Sequence, residues 1–131
     1  GKEEEEKAVV LREEGNALVK ASKWREAEET YTAALSLNPA DAKLYSNRSL
    51  ARLQLNNPIE ALRDARMAAK LNPDWPKAHY RVGCAFAALK RWEKAAMAFG
   101  EAFHLDQTNQ QVKAKLKHAV ANARAQRAAK K

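Results

Sequence analysis

One cysteine, Cys84, among 131 residues excludes an intramolecular disulfide, and a chain that folds without one suits a reducing compartment. Four glycines and four prolines are too few for a loop-rich or all-β chain. No apolar run approaches the roughly 18 residues that span a bilayer, so no membrane insertion is expected. The acidic start, Gly1-Lys2-Glu3-Glu4-Glu5-Glu6-Lys7, has no apolar stretch beside it that would act as a signal peptide, and the expected location is cytoplasmic. His79, His104 and His118 are scattered, and Cys84 has no cysteine partner at ligand spacing. No glycine-rich phosphate loop and no nucleophile–base arrangement occur. The expectation is therefore no metal, no cofactor and no enzymatic activity.

What is present in excess is positive charge, a formal +8, and its placement matters more than its size. Residues 111–131 hold seven cations (Lys113, Lys115, Lys117, Arg124, Arg127, Lys130, Lys131) and no acid; residues 1–110 hold 17 basic against 16 acidic residues. The body is close to neutral and the tail is basic. No aromatics interleave with the tail cations, so base stacking and specific nucleic-acid binding are not expected. A basic helix acting as a nucleic-acid or membrane adaptor stays open as an alternative.

The chain repeats itself every 34 residues. Ala27, Ala61 and Ala95 stand in one column; Ala34, Ala68 and Ala102 in another; Leu37, Leu71 and Leu105 in a third. Gly15, Ser49 and Gly83 form a column of small residues. Tyr31 and Phe99 form an aromatic one, with Ala65 as its weak member, and Trp24 and Trp92 flank Pro58. Asn38-Pro39 matches Asn72-Pro73, and Asp106-Gln107 closes the third copy. Such a period marks a stacked array, because one repeat does not bury its apolar face alone.

Within each copy the apolar spacing is three and four, so both halves read as helices. The first helices are expected at 8–21, 42–55 and 76–89, the second at 24–37, 58–71 and 92–105. Residues 1–7 read as an acidic extension of the first helix. The repeats divide as 8–41, 42–75 and 76–107. Each small residue of a first helix is expected to face alanine in the second, and the large residues to fill the space between neighbouring helices. Asn57-Pro58-Ile59-Glu60 reads as an N-cap, a proline at the first helical position and a capping acid. Residues 108–131 complete the chain. Val112, Leu116, Ala119, Val120 and Ala123 place a capping helix over 108–128, with the cations on its other side and a basic tail beyond. The fold class is all-α, and a capped array of this size reads as a monomer.

This pattern resembles the tetratricopeptide-repeat family over roughly residues 8–128. The resemblance implies a right-handed superhelical solenoid whose concave groove is lined by the first helix of each repeat, and a module that binds protein rather than catalyses. Helical spacing then gives the groove face: Arg12, Asn16, Val19 and Lys20; Lys43, Asn47, Leu50 and Gln54; Lys77, Arg81, Cys84 and Ala88. These twelve positions include cations and amides but no acid, which suits an acidic partner.

A narrower resemblance is to the subclass that holds the C-terminal Glu-Glu-Val-Asp of heat-shock protein 70 and heat-shock protein 90 in a carboxylate clamp. Its pattern is Lys-x-x-x-Asn, Asn-Arg and Lys-x-x-x-Arg in successive first helices. Here the segments read Arg12-Glu13-Glu14-Gly15-Asn16, Asn47-Arg48, and Lys77-Ala78-His79-Tyr80-Arg81. Arg12 stands where the pattern has lysine. The resemblance implies a peptide-binding clamp of Arg12, Asn16, Asn47, Lys77 and Arg81, with Val19, Lys20, Leu50, Gln54 and Cys84 lining the groove. Arg48 reads as an inter-helix contact. A groove for another acidic segment, internal rather than terminal, remains the alternative that Arg12 suggests.

Overall fold

In the computed structural model, which describes residues 1–130, the chain forms seven helices: α1 Lys2–Lys20, α2 Trp24–Leu37, α3 Ala42–Gln54, α4 Pro58–Leu71, α5 Pro76–Ala88, α6 Trp92–Leu105 and α7 Gln110–Ala129. Each packs against the next, and α3 also meets α1 and α5. Lys131, the last cation of the tail, lies outside the described residues. α1 runs back through the acidic residues to Lys2, with Glu3, Glu4 and Glu5 in the first turn, where acidic side chains favour the helix dipole.

The period of 34 is also a period of backbone shape. α1, α3 and α5 all stop at the same point, and Ser22, Asn56 and Lys90 follow in the left-handed region with φ of 58°, 61° and 58°. In each copy the next amide reaches back to close the helix: Lys23 N to Leu18 O, Asn57 N to Arg52 O and Arg91 N to Phe86 O, at 2.8 to 2.9 Å. This closure satisfies carbonyls that the helix end would leave bare.

It also corrects the expected cap of α4. Asn57 occupies the N-cap, but its side chain makes no capping bond. The closure leaves its ψ at 69°, near the 74° of Lys23 and Arg91. Asp41 and Asn109, with ψ of 105° and 102°, do cap α3 and α7 through their side chains. Pro58 and Pro76 sit at the first turn of α4 and α5, where the missing N–H costs nothing.

The core runs as two clusters. One gathers Ala27, Tyr31, Ala34, Leu35, Leu44 and Ala51; the other gathers Phe86, Ala95, Phe99 and Ala119. The small residues of the first helices do not primarily meet alanine, as the sequence suggested. Gly15 lies under the Tyr31 ring and Gly83 under the Phe99 ring. In the middle copy, where the aromatic column holds Ala65, the glycine column holds Ser49, whose hydroxyl donates to Ala61 O at 2.8 Å. Size is traded between the two columns.

Polar contacts take over where the middle copy lacks an aromatic. Asp64, almost fully buried, accepts from Arg48 Nε at 2.9 Å and Arg48 Nη2 at 2.7 Å, and from Arg52 Nη1 at 3.0 Å. Arg52 also donates to Glu28 and Arg48 to Thr32. The network joins α2, α3 and α4, so Arg48 is the inter-helix contact expected of it. At the end of the array, Val112, Ala119 and Ala123 of α7 are buried against the rest.

Candidate peptide groove

Three hollows share residues along the face made by α1, α3 and α5. The first, about 380 Å³, is lined by Arg12, Glu13, Asn16, Lys43, Asn47, Trp75 and Lys77. The second, about 560 Å³, adds Leu50, Tyr80 and Arg81, with Asn109 and Gln111 from the far side. The third, about 400 Å³, takes in Leu50, Leu53, Gln54, Cys84, Lys115 and His118. The five clamp positions thus gather at one end of a continuous run of lining residues, with Leu50, Gln54 and Cys84 further along. Val19 instead packs against the Tyr31 cluster, and Lys20 is exposed and lines none of these hollows.

The two asparagines are held by the core. Asn16 Oδ1 accepts from the Tyr31 hydroxyl at 2.6 Å and from Asn47 Nδ2 at 3.0 Å. An amide oxygen has two lone pairs, and both are used, so Nδ2 of Asn16 is left as the group to donate. Burial pushes the Tyr31 hydroxyl up to about 12, against the lowering by the Asn47 side chain and the charge of Arg81. Tyr31 is therefore a fixed proton donor at neutral pH.

The cations differ from one another. Lys43 and Lys77 are exposed and, among the described residues, pair with no acid. Arg81 is partly buried; its Nε is enclosed and has no hydrogen-bond partner among the described residues. Its guanidinium stands 5.9 Å from the Tyr80 ring centre. Burial pulls its pKa down, while Cys84, Tyr80 and Tyr31 raise it; an arginine still stays charged. A half-buried cation without a counter-charge attracts an anion strongly.

Arg12 is different: its Nη1 donates to Asp41 Oδ2 at 3.0 Å. The twelve striped positions carry no acid, but acids outside the stripes stand beside them. Asp41, at the N-cap of α3, touches the groove through Arg12 without lining any of the three hollows, and Asp106, at the C-cap of α6, lines the second; helical striping of the first helices includes neither. Glu13 enters because it stands 34 residues before Asn47.

The same step of 34, carried once more, finds residues that striping of the first helices missed. Gln111, Lys115 and His118 follow Lys77, Arg81 and Cys84 at that interval, and all three line the groove. Lys115 was expected on the outer side of α7; it faces inward because α7 takes the place of a fourth first helix. Trp75 and Tyr80 also line the groove. Burial raises the Cys84 pKa against a hydrogen bond from Tyr80 and the charges of Lys115 and Arg81, so the thiol is protonated at neutral pH. Among the described residues no group of three or more His, Cys, Asp or Glu gathers at metal-binding distance. No helix among them is long and apolar enough to cross a membrane.

Comparison with known proteins gives consistent matches. The family model described as tetratricopeptide repeat matches residues 12–74 and 47–109. A protein STIP1 homolog of Dictyostelium discoideum is 35% identical over 117 residues, covering 89% of this chain and 21% of the relative. The Hsp70-Hsp90 organizing protein 1 of Glycine max is 40% identical over 101 residues, covering 77% of this chain and 18% of the relative. This chain thus spans about a fifth of the length of these curated relatives. The solved first repeat domain of Spaghetti (RPAP3), bound to the HSP90 peptide SRMEEVD, superposes with a TM-score of 0.85 at 31% identity, covering 88% of this chain and 92% of that one.

Proposed function

The chain belongs to the tetratricopeptide-repeat family, and from that premise we propose that its groove binds the C-terminal Glu-Glu-Val-Asp of heat-shock protein 90, heat-shock protein 70 or both. In this reading it is a co-chaperone docking module, cytoplasmic, monomeric as an isolated domain, and not an enzyme. The observation that carries the proposal is the meeting of uncompensated Lys77 and Arg81 with the core-held Asn16–Asn47 pair in adjoining hollows. The first repeat domain of Spaghetti (RPAP3), similar in fold, holds the HSP90 peptide SRMEEVD.

A terminal aspartate brings two carboxylates. Lys77 and Arg81 meet them with charge-assisted bonds worth about 1.5–3 kcal/mol each. Asn16 Nδ2 and the free polar atoms of Asn47 orient the peptide end. Arg12 lends its remaining N–H groups to the same anion. Leu50, Gln54 and Cys84 take side chains further up the ligand.

The test is a calorimetric titration with a short peptide ending in Met-Glu-Glu-Val-Asp, beside the same peptide amidated at its C-terminus. The free acid should bind near 1 μM, about −8 kcal/mol, and amidation should remove most of that. Lys77→Glu should abolish binding while leaving helicity and melting unchanged, because the side chain is exposed. Equal binding of both peptides would replace a terminal clamp by a groove for internal acidic segments. Binding of neither would end the chaperone reading.

A further inference from the structure

Of the cations facing the first hollow, Arg12 is the one with a carboxylate already in place. Asp41 Oδ2 accepts from Arg12 Nη1 at 3.0 Å. Its other oxygen accepts the Lys43 backbone N–H at 2.9 Å, capping α3. Both oxygens are thus committed, and the carboxylate is held against α1 with 14% of its side chain exposed, beside the 30% of Arg12. The remaining charges of the hollow are Lys43 and Lys77, without acidic partners among the described residues, and Glu13 on its rim.

We propose that Asp41 is an internal competitor that sets the affinity of this groove: it holds Arg12 as a ligand carboxylate would, and its charge opposes the arriving anion. The inference rests on the reading of the groove as a carboxylate site. An acidic peptide meets Lys43, Lys77 and Arg81 at full charge, and Arg12 only at the expense of an existing ion pair. The fork of an arginine allows this division, because Nη1 is used by Asp41 while other N–H groups stay free. A lysine has a single nitrogen to share. Arg12 and Asp41 are therefore one unit.

The test is a double-mutant cycle read with the Met-Glu-Glu-Val-Asp peptide in wild type, Asp41→Asn, Arg12→Gln and the double variant. Asparagine caps a helix about as well as aspartate, so Asp41→Asn should melt within a few degrees of wild type; Asp41→Ser, another capping residue, serves if it does not. Asp41→Asn should bind roughly threefold to tenfold more tightly, with a steeper salt dependence. Arg12→Gln should cost less than about twofold in the wild-type background and should erase the gain in the Asp41→Asn background. Unchanged or weaker binding by Asp41→Asn overturns the proposal, as does an Arg12→Gln loss of equal size in both backgrounds. If the wild-type domain binds no peptide, the carboxylate reading of the wild-type groove fails separately. Binding gained in Asp41→Asn then still supports the competitor, and silence in both overturns it.

Discussion

A Cβ added at Gly15 would lie 2.5 Å from Cε1 of Tyr31, inside any contact that real side chains make. The ring has little freedom to retreat: it is fully buried, and its hydroxyl is tied to Asn16. Gly15→Ala gains about 1 kcal/mol of helix propensity and should nonetheless destabilise the domain by about 1–3 kcal/mol through overpacking. Because Tyr31 sets the Asn16 amide, the same variant should bind peptide more weakly. Gly83→Ala, where the added atom meets Phe99 at 2.6 Å, should lose comparable stability. Urea unfolding and peptide titration of both variants check this.

Asp64 is the acid on which two arginines converge. Asp64→Ala would leave Arg48 and Arg52 half buried without their main partner. Removing one side of such a pair costs about 3–5 kcal/mol, enough to unfold much of a marginal domain. The loss should appear in chemical denaturation. Replacing Arg63, which is exposed and, among the described residues, pairs only with Glu60 on its own helix, should change stability by less than about 0.5 kcal/mol.

Lys90 turns the chain with φ of 58° and has an exposed side chain. A non-glycine residue there bears about 1–2 kcal/mol of strain, partly offset by the entropy that glycine gains when unfolded. Lys90→Gly should therefore raise stability by about 0.5–1 kcal/mol, a rise of a few degrees in melting temperature. Asn56→Gly should gain less, since asparagine tolerates this region.

Burial lifts both Tyr31 and Tyr80 to about 12 from an ordinary value of 10.0. A raised pKa means that the fold favours the protonated phenol. The stability from this is fully present below pH about 10 and is lost as pH rises through about 12. Unfolding free energy measured against pH should be level up to about 10 and fall beyond it, with tyrosinate absorbance rising alongside the loss of helix.

Much of the architecture is written in the columns. Ala27, Ala61 and Ala95, each fully buried, announce close helix packing at a period of 34, and the apolar spacing places the helices to within a residue or two in most cases. The clamp candidates were legible for the same reason: Asn47 and Arg81 share a column, so one groove face repeats. Lys115 stands in that column too, one step further along, and it faces the groove because α7 packs as a fourth first helix as well as a cap.

Other relationships have no period to betray them. Gly15 could face any of the columns beside it; only the packed helices show that it meets Tyr31 and that Ser49 goes with Ala65. Arg12 and Asp41 are 29 residues apart, a separation matching neither the repeat nor a helical turn, and they meet because α3 starts where α1 passes. Local spacing determines which residues share a face of one helix, because a helix is regular. Which side chains meet across helices is decided by how the helices cross, and that geometry belongs to the tertiary structure alone.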